Sequence, residues 1–173
     1  TGLRLAIPPG FEVQLVVEPA TANHDAIRAL GLHPVTNFTD GLASDARAVI
    51  LTSPNDQHDT QVAQAAAAGK HVFCEKPLSL SAKGARASVA ACHDRGLVLG
   101  VGHERRFEPA ILALRAFLDQ GALGTIMHCE LAFSHDKLID LPAGSWRTSK
   151  ASHCSPSSAT ARSTEGSRYL MSS

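Results

Sequence analysis

The sequence predicts an α/β fold built on a doubly wound parallel sheet, and three observations carry that prediction. Ala48-Val49-Ile50-Leu51-Thr52 and Val72-Phe73-Cys74 are short apolar runs, the signature of buried strands. Each stops abruptly in a polar turn containing proline, Ser53-Pro54-Asn55 after the first and Glu75-Lys76-Pro77 after the second. Between them, residues 59–69 are rich in alanine and close on Gly69, as a helix with a left-handed C-cap would. Strand, helix and strand at this spacing form a βαβ crossover, and repetition of the alternation gives a parallel sheet. Ligands of such sheets bind outside the carboxyl ends of the strands, where these polar turns fall.

Before the crossover, Val13-Gln14-Leu15-Val16-Val17-Glu18 is bounded by Pro8-Pro9-Gly10 and Pro19 and reads as a strand. Residues 24–30 read as a short helix ended by Gly31, residues 36–40 as an extended piece, and 41–45 as a turn into the strand at 48–52. After the crossover, Ser79 or Ser81 can cap a helix in which Ala82, Ala85, Val89 and Cys92 recur at three- and four-residue spacing. Leu97-Val98-Leu99-Gly100-Val101 is a further strand, and it runs into Gly102-His103-Glu104-Arg105-Arg106-Phe107. Pro109 opens a helix with Ile111, Leu114 and Leu118 on its apolar face, broken by Gly121 and Gly124. Residues 125–133 are a strand candidate and the start of a second, α+β sheet domain. No internal repeat is present.

With 173 residues and 44% apolar content the chain can bury a core, as one domain or one domain with part of another. Sixteen basic residues balance sixteen acidic ones, which argues against nucleic acid or an anionic membrane as partner. No apolar run approaches the roughly 20 residues of a membrane helix, and no signal segment opens the chain, so a soluble, cytoplasmic protein is expected. Cys74, Cys92, Cys129 and Cys154 are scattered without metal-ligand spacing and read as small buried residues; no metal site is expected. Beyond Lys150 the composition shifts: eight of the last 23 residues are serine.

Thr52-Ser53-Pro54-Asn55 with His58, then Gly69-Lys70-His71-Val72-Phe73-Cys74-Glu75-Lys76-Pro77, then Gly102-His103-Glu104-Arg105-Arg106-Phe107 resemble, in order and spacing, the Gfo/Idh/MocA oxidoreductases. The match runs over about residues 10–150. The resemblance implies a Rossmann domain followed by an open-faced sheet domain, and hydride transfer between NAD(P) and a sugar, polyol or related alcohol. Lys76 then resembles the catalytic or substrate-orienting lysine, expected to be partly buried, with a solvated turn lysine as the alternative. Glu75 resembles a cofactor-contacting acid, and Pro77 fixes the backbone behind the lysine, often through a cis peptide in this family. Glu18 ends a strand where a carboxylate can accept from the adenosine ribose hydroxyls, which favours NAD over NADP. Ser53, Pro54 and Asn55 would line the pyrophosphate and nicotinamide ribose. His58 is a cofactor contact or a capping and packing histidine; Arg105 or Arg106 resembles an arginine near the cofactor. Trp146-Arg147 resembles an element that approaches the cofactor from the second domain. His103 and His135 are read as structural.

The sequence also departs from the family. No Gly-x-Gly-x-x-Gly occurs; Gly100-Val101-Gly102 lacks the third glycine. Residues 3–7 read as the end of the helix that follows this turn in the family. They cannot replace the first strand, because five residues to Val13 are too few for a parallel crossover of a dozen or more. That strand is central in the doubly wound order, so its absence leaves two open strand edges and a half-built cofactor site. The family's glycine run with Asp and His is not matched by residues 151–173, and His153 takes no role from it; a change of reading frame after Lys150 is one explanation. The expectation is thus an incomplete NAD(P)-binding Rossmann domain over 1–122, the start of a substrate and dimerisation domain over 123–150, and a serine-rich tail over 151–173. An oxidoreductase lineage without turnover as this isolated chain is expected, a homo-oligomer if complete. The alternative is a non-catalytic nucleotide-binding or dimerising remnant.

Overall fold

The structure is a computed structural model, and it describes residues 10–130. The chain divides into two units, Thr1–Phe133 and Ser134–Ser173, and every described residue belongs to the first. Trp146, Arg147, His135 and the end of the strand candidate at 131–133 lie outside the described residues.

Alternation of strand and helix holds throughout: β1 (Val16–Val17), α1 (His24–Ala29), β2 (Pro34–Val35), α2 (Phe38–Leu42), β3 (Ala48–Leu51), α3 (His58–Ala67), β4 (His71–Cys74), α4 (Ala82–His93), β5 (Leu99–Val101) and α5 (Pro109–Asp119). All pairing is parallel, in two separate ladders. β1 pairs with β2, with Val16 opposite Pro34; β4 lies between β3 and β5, with Leu51 opposite Cys74 and Cys74 opposite Val101. These orders correspond to the two halves of the doubly wound arrangement on either side of its first strand. Among the described residues no ladder bond joins β1 to β3, so each has one open edge.

The core lies on one face of the larger sheet. Leu51, Val72 and Cys74 are buried there against Val62, Ala65 and Ala66 of α3 and Cys92 of α4. Alanines on α3 let the two helices pack closely on each other and on the sheet, while Gly69, at φ +72°, ends α3 in the left-handed region. Ser81, not Ser79, caps α4: its Oγ accepts from the Gly84 N–H at 3.0 Å. Ser79 instead donates to Asp59 Oδ2 at 3.0 Å, tying the loop before α4 to the first turn of α3.

Several sequence expectations are corrected. Residues 36–40 do not form one extended piece: Asn37 is extended, but from Phe38 the chain is helical, because Phe38 and Leu42, one turn apart, pack on the core. On its other side Gly41 lies so close to Val17 that a Cβ there would stand 2.5 Å from Cγ2, and α2 thereby spans from the smaller sheet to the larger core. The first strand shrinks from 13–18 to two residues. Among the described residues, the strands of the larger sheet are covered on one face only: Ile50, Phe73 and Gly100 form a row in register on the other face, with Ile50 66% and Phe73 43% exposed. Ile111, Leu114 and Leu118 are likewise exposed, since α5 packs mainly on the turn at 104–107. Finally, residues 125–130 form no strand. Cys74 and Cys92 are buried as expected, whereas Cys129 is exposed. Among the described residues no helix is long and apolar enough to cross a membrane.

Candidate active site

Parallel pairing puts the carboxyl ends of β3, β4 and β5 on one edge of the sheet, so the turns that follow them are neighbours. The turn after β3 carries Ser53, Pro54 and Asn55; the last of these begins a 3₁₀ turn, Asn55–Gln57, that leads into α3. The turn after β4 carries Glu75, Lys76 and Pro77, and the Lys76–Pro77 peptide is cis. After β5 come Gly102, His103 and a 3₁₀ turn over Glu104–Phe107 that holds Arg105. Glu18 directly follows β1, in the other ladder.

Glu75 is held in place by its surroundings. Its amide donates to Leu51 O at 2.9 Å, which continues the β3–β4 ladder by one bond. Its Oε2 accepts from the Lys76 N–H at 3.2 Å, and its carboxylate rests on the buried Cα of Gly102. Lys76, expected to be partly buried, is exposed, and its ammonium makes no hydrogen bond or ion pair among the described residues. Cys74, on the opposite face of the strand from Phe73, is fully buried and donates to Glu75 O at 3.3 Å. Burial pushes its thiol up to about 11, with the carboxylates of Glu75 and then Asp59 acting in the same direction. Burial also raises the Cys92 thiol, with Arg95 opposing.

Ser53 donates its hydroxyl proton to Gln61 Oε1, leaving its lone pairs open. Gln61 in turn donates to Gln57 at 3.1 Å. Gln61 is a residue that sequence reasoning missed; its place three residues after His58, on the same side of α3, was the available signal. Gly102 was also missed as a site residue. His58 is wholly buried, and both its ring nitrogens are used: Nδ1 contacts Pro77 O at 2.7 Å and Nε2 contacts Ser53 O at 2.9 Å. Arg105 pairs with Glu108 at 3.2 Å. Glu18 uses Oε1 to accept from the Ala20 N–H at 2.8 Å, while its backbone carbonyl is 2.8 Å from His24 Nε2. Its Oε2 remains for another donor.

The structure therefore brings Ser53, Pro54, Asn55, Glu75, Lys76, Pro77 and Arg105 to one sheet edge. An uncommitted ammonium, an amide side chain and hydroxyl lone pairs at the ends of adjacent parallel strands suit a polar ligand carrying hydroxyl and phosphate groups. Fold and edge together define an α/β protein of the doubly wound class with a polar ligand edge at its strand ends.

The comparison with known families is more specific. The oxidoreductase family with an NAD-binding Rossmann fold, Gfo/Idh/MocA, matches residues 4–103, and the chain belongs to that family. It is 39% identical over 84 residues to inositol 2-dehydrogenase of Rhizobium meliloti, covering 49% of this chain and 26% of that protein. It is 28% identical over 148 residues to levoglucosan dehydrogenase of Pseudarthrobacter phenanthrenivorans, covering 83% of this chain and 38% of that one. Among solved structures it resembles the WlbA dehydrogenase from Bordetella pertussis in complex with NADH and UDP-GlcNAcA. The TM-score is 0.62 at 28% identity, over 65% of this chain and 33% of that one. The chain spans only about a quarter to a third of the length of relatives it matches, from 24% to 34% in three of them.

Proposed function

We propose that this chain is the nucleotide-binding part of an NAD(P)-dependent oxidoreductase that acts on a sugar, polyol or related alcohol. The observation that carries the proposal is Lys76: an exposed, uncommitted ammonium at the carboxyl end of the central strand of its sheet, between the Asn55 turn and the Gly102–Arg105 turn. When bound, the nicotinamide supplies hydride acceptance or donation. Lys76 would hold the substrate hydroxyl and handle its proton, while Ser53, Pro54 and Asn55 line the cofactor ribose and Glu75 and Pro77 fix the lysine's backbone. Arg105 would face the cofactor from the third turn; Trp146 and Arg147, to which the family resemblance gives a cofactor contact, lie outside the described residues. Glu18, with one carboxylate oxygen still open, would accept from a ribose 2′-hydroxyl and repel a 2′-phosphate, favouring NAD.

The same reading assigns 1–122 to cofactor binding, 123–150 to the start of the substrate domain and 151–173 to a serine-rich tail, in a cytoplasmic protein that is a homo-oligomer when complete. Turnover by the isolated chain is not expected, because the sequence contains no Gly-x-Gly-x-x-Gly to seat the pyrophosphate. The division of strands into two ladders favours the second reading, a non-catalytic nucleotide-binding or dimerising remnant.

Titrating the purified chain with NADH and with NADPH, following fluorescence of its single Trp, tests both readings. Weak saturable quenching by NADH, stronger than by NADPH, is expected, together with no alcohol-dependent rise in NADH absorbance. Absence of quenching by either nucleotide would refute the dinucleotide site, and a substrate-dependent rise would refute the loss of turnover.

A further inference from the structure

His58 opens α3 but caps nothing: the helix N-cap has no side-chain hydrogen bond, and the imidazole turns inward to full burial. Its two nitrogens reach the carbonyl oxygens of Ser53 and Pro77, which lie in different turns. Carbonyl oxygens only accept, so the ring N–H donates to one turn or the other, and the tautomer sets which. The ladder between β3 and β4 makes its last bond at Glu75 N to Leu51 O. Beyond that point the imidazole is the next link between the two strand ends.

We propose that His58 is a positioning residue that sets the distance between the turn carrying Asn55 and the turn carrying Lys76. The assignment rests on reading that edge as the dinucleotide site, but the tie itself belongs to the protein without ligand. A histidine present only to fill the core needs neither carbonyl, and an apolar ring of the same size would serve there. Using both nitrogens on two turns is the arrangement of a spacer. Lys76 has no partner of its own among the described residues to fix it, so its place over the sheet edge depends on the backbone that His58 holds.

The test is amide hydrogen exchange in the full 173-residue chain, first without ligand, comparing the wild type with His58→Phe and His58→Gln. His58→Phe keeps a buried ring and removes both ring nitrogens; His58→Gln retains a donor for one turn. In His58→Phe the amides of Gln57, bonded to Pro54 O, and Lys76, bonded to Glu75 Oε2, should exchange about tenfold faster or more, while those of Leu51 and Val72 stay unchanged. His58→Gln should restore protection to one turn only. Unchanged exchange in both turns, or a loss spread equally over the core strands, overturns the proposal. Should His58→Phe not fold, ¹⁵N-edited spectra of the wild-type imidazole decide. A slowly exchanging proton on a ring nitrogen supports the tie, and ring N–H exchange as fast as that of a solvent-exposed imidazole overturns it. NADH titration of the same proteins separates the two claims: a wild type that binds no NADH removes the dinucleotide reading, while the exchange result still decides the role of His58. Where NADH binds, His58→Phe should weaken it about tenfold.

Discussion

The carboxylate of Glu75 lies against the Cα of Gly102: a methyl group at 102 would stand 2.9 Å from Oε1, 3.1 Å from Cδ and 3.2 Å from Oε2. The backbone contact beneath it, Gly102 N to Cys74 O at 2.9 Å, fixes the two strand ends relative to each other. Gly102 is thus needed for the space it leaves, and not for an unusual backbone angle.

Gly102→Ala should consequently move Glu75 with little loss of fold stability, under about 1 kcal/mol, because the displaced atoms are the free end of a flexible side chain. NADH affinity should fall roughly three- to tenfold. In a Glu75→Ala background the same substitution should have no further effect, since residues in contact are not additive. Additive losses across that double-mutant cycle would show that Gly102 acts on something else.

Lys76→Met should leave the thermal midpoint unchanged within the equivalent of about 0.5 kcal/mol, as expected for an exposed side chain without partners. Where this sequence operates within a catalytically complete protein, kcat should fall about 10²–10⁴-fold, the usual range for losing a positioned acid or base. A fall in stability with unchanged kcat would make the lysine structural.

Ser88 lies buried in α4 with its Oγ lacking any hydrogen-bond partner. Ser88→Ala removes a desolvated hydroxyl and improves helix propensity, so stability should stay level or rise by about 0.5–1 kcal/mol in a denaturation series. Ser81→Ala in the same helix should act oppositely, costing about 1 kcal/mol through loss of the bond to Gly84 N–H.

The Cys74 thiol supplies a pH dependence. Its folded value of about 11 lies above the unfolded value of 9.0, so the unfolded chain ionises first as pH rises. The burial of a neutral thiol therefore stabilises the fold fully below pH 9.0, and that contribution is lost between pH 9.0 and about 11. The loss should be on the order of 2 kcal/mol and absent from Cys74→Val, measured by urea unfolding across that range. Equal alkaline slopes for the two proteins would assign the dependence to other groups.

The alternation of strands and helices, the positions of the polar turns and the helix end at Gly69 are all legible in the residues alone. These follow from short-range patterns: apolar runs, proline and glycine breaks, and alanine content act within a few residues of where they stand. The family is legible there too, through three motifs in order. The rest depends on packing between distant segments. Phe38 and Leu42 found the core and turned residues 38–42 into a helix against the extended reading. Which face of the β3–β5 sheet is covered, and which is left with Ile50 and Phe73 exposed, depended on where α3, α4 and α5 came to pack. The seat of Glu75 on Gly102 and the reach of His58 to Ser53 and Pro77 join segments distant in sequence, and no local propensity encodes them. Parallel strands bring such segments together only after each crossover has closed, so the geometry of the site is a product of the sheet's register rather than of any single motif.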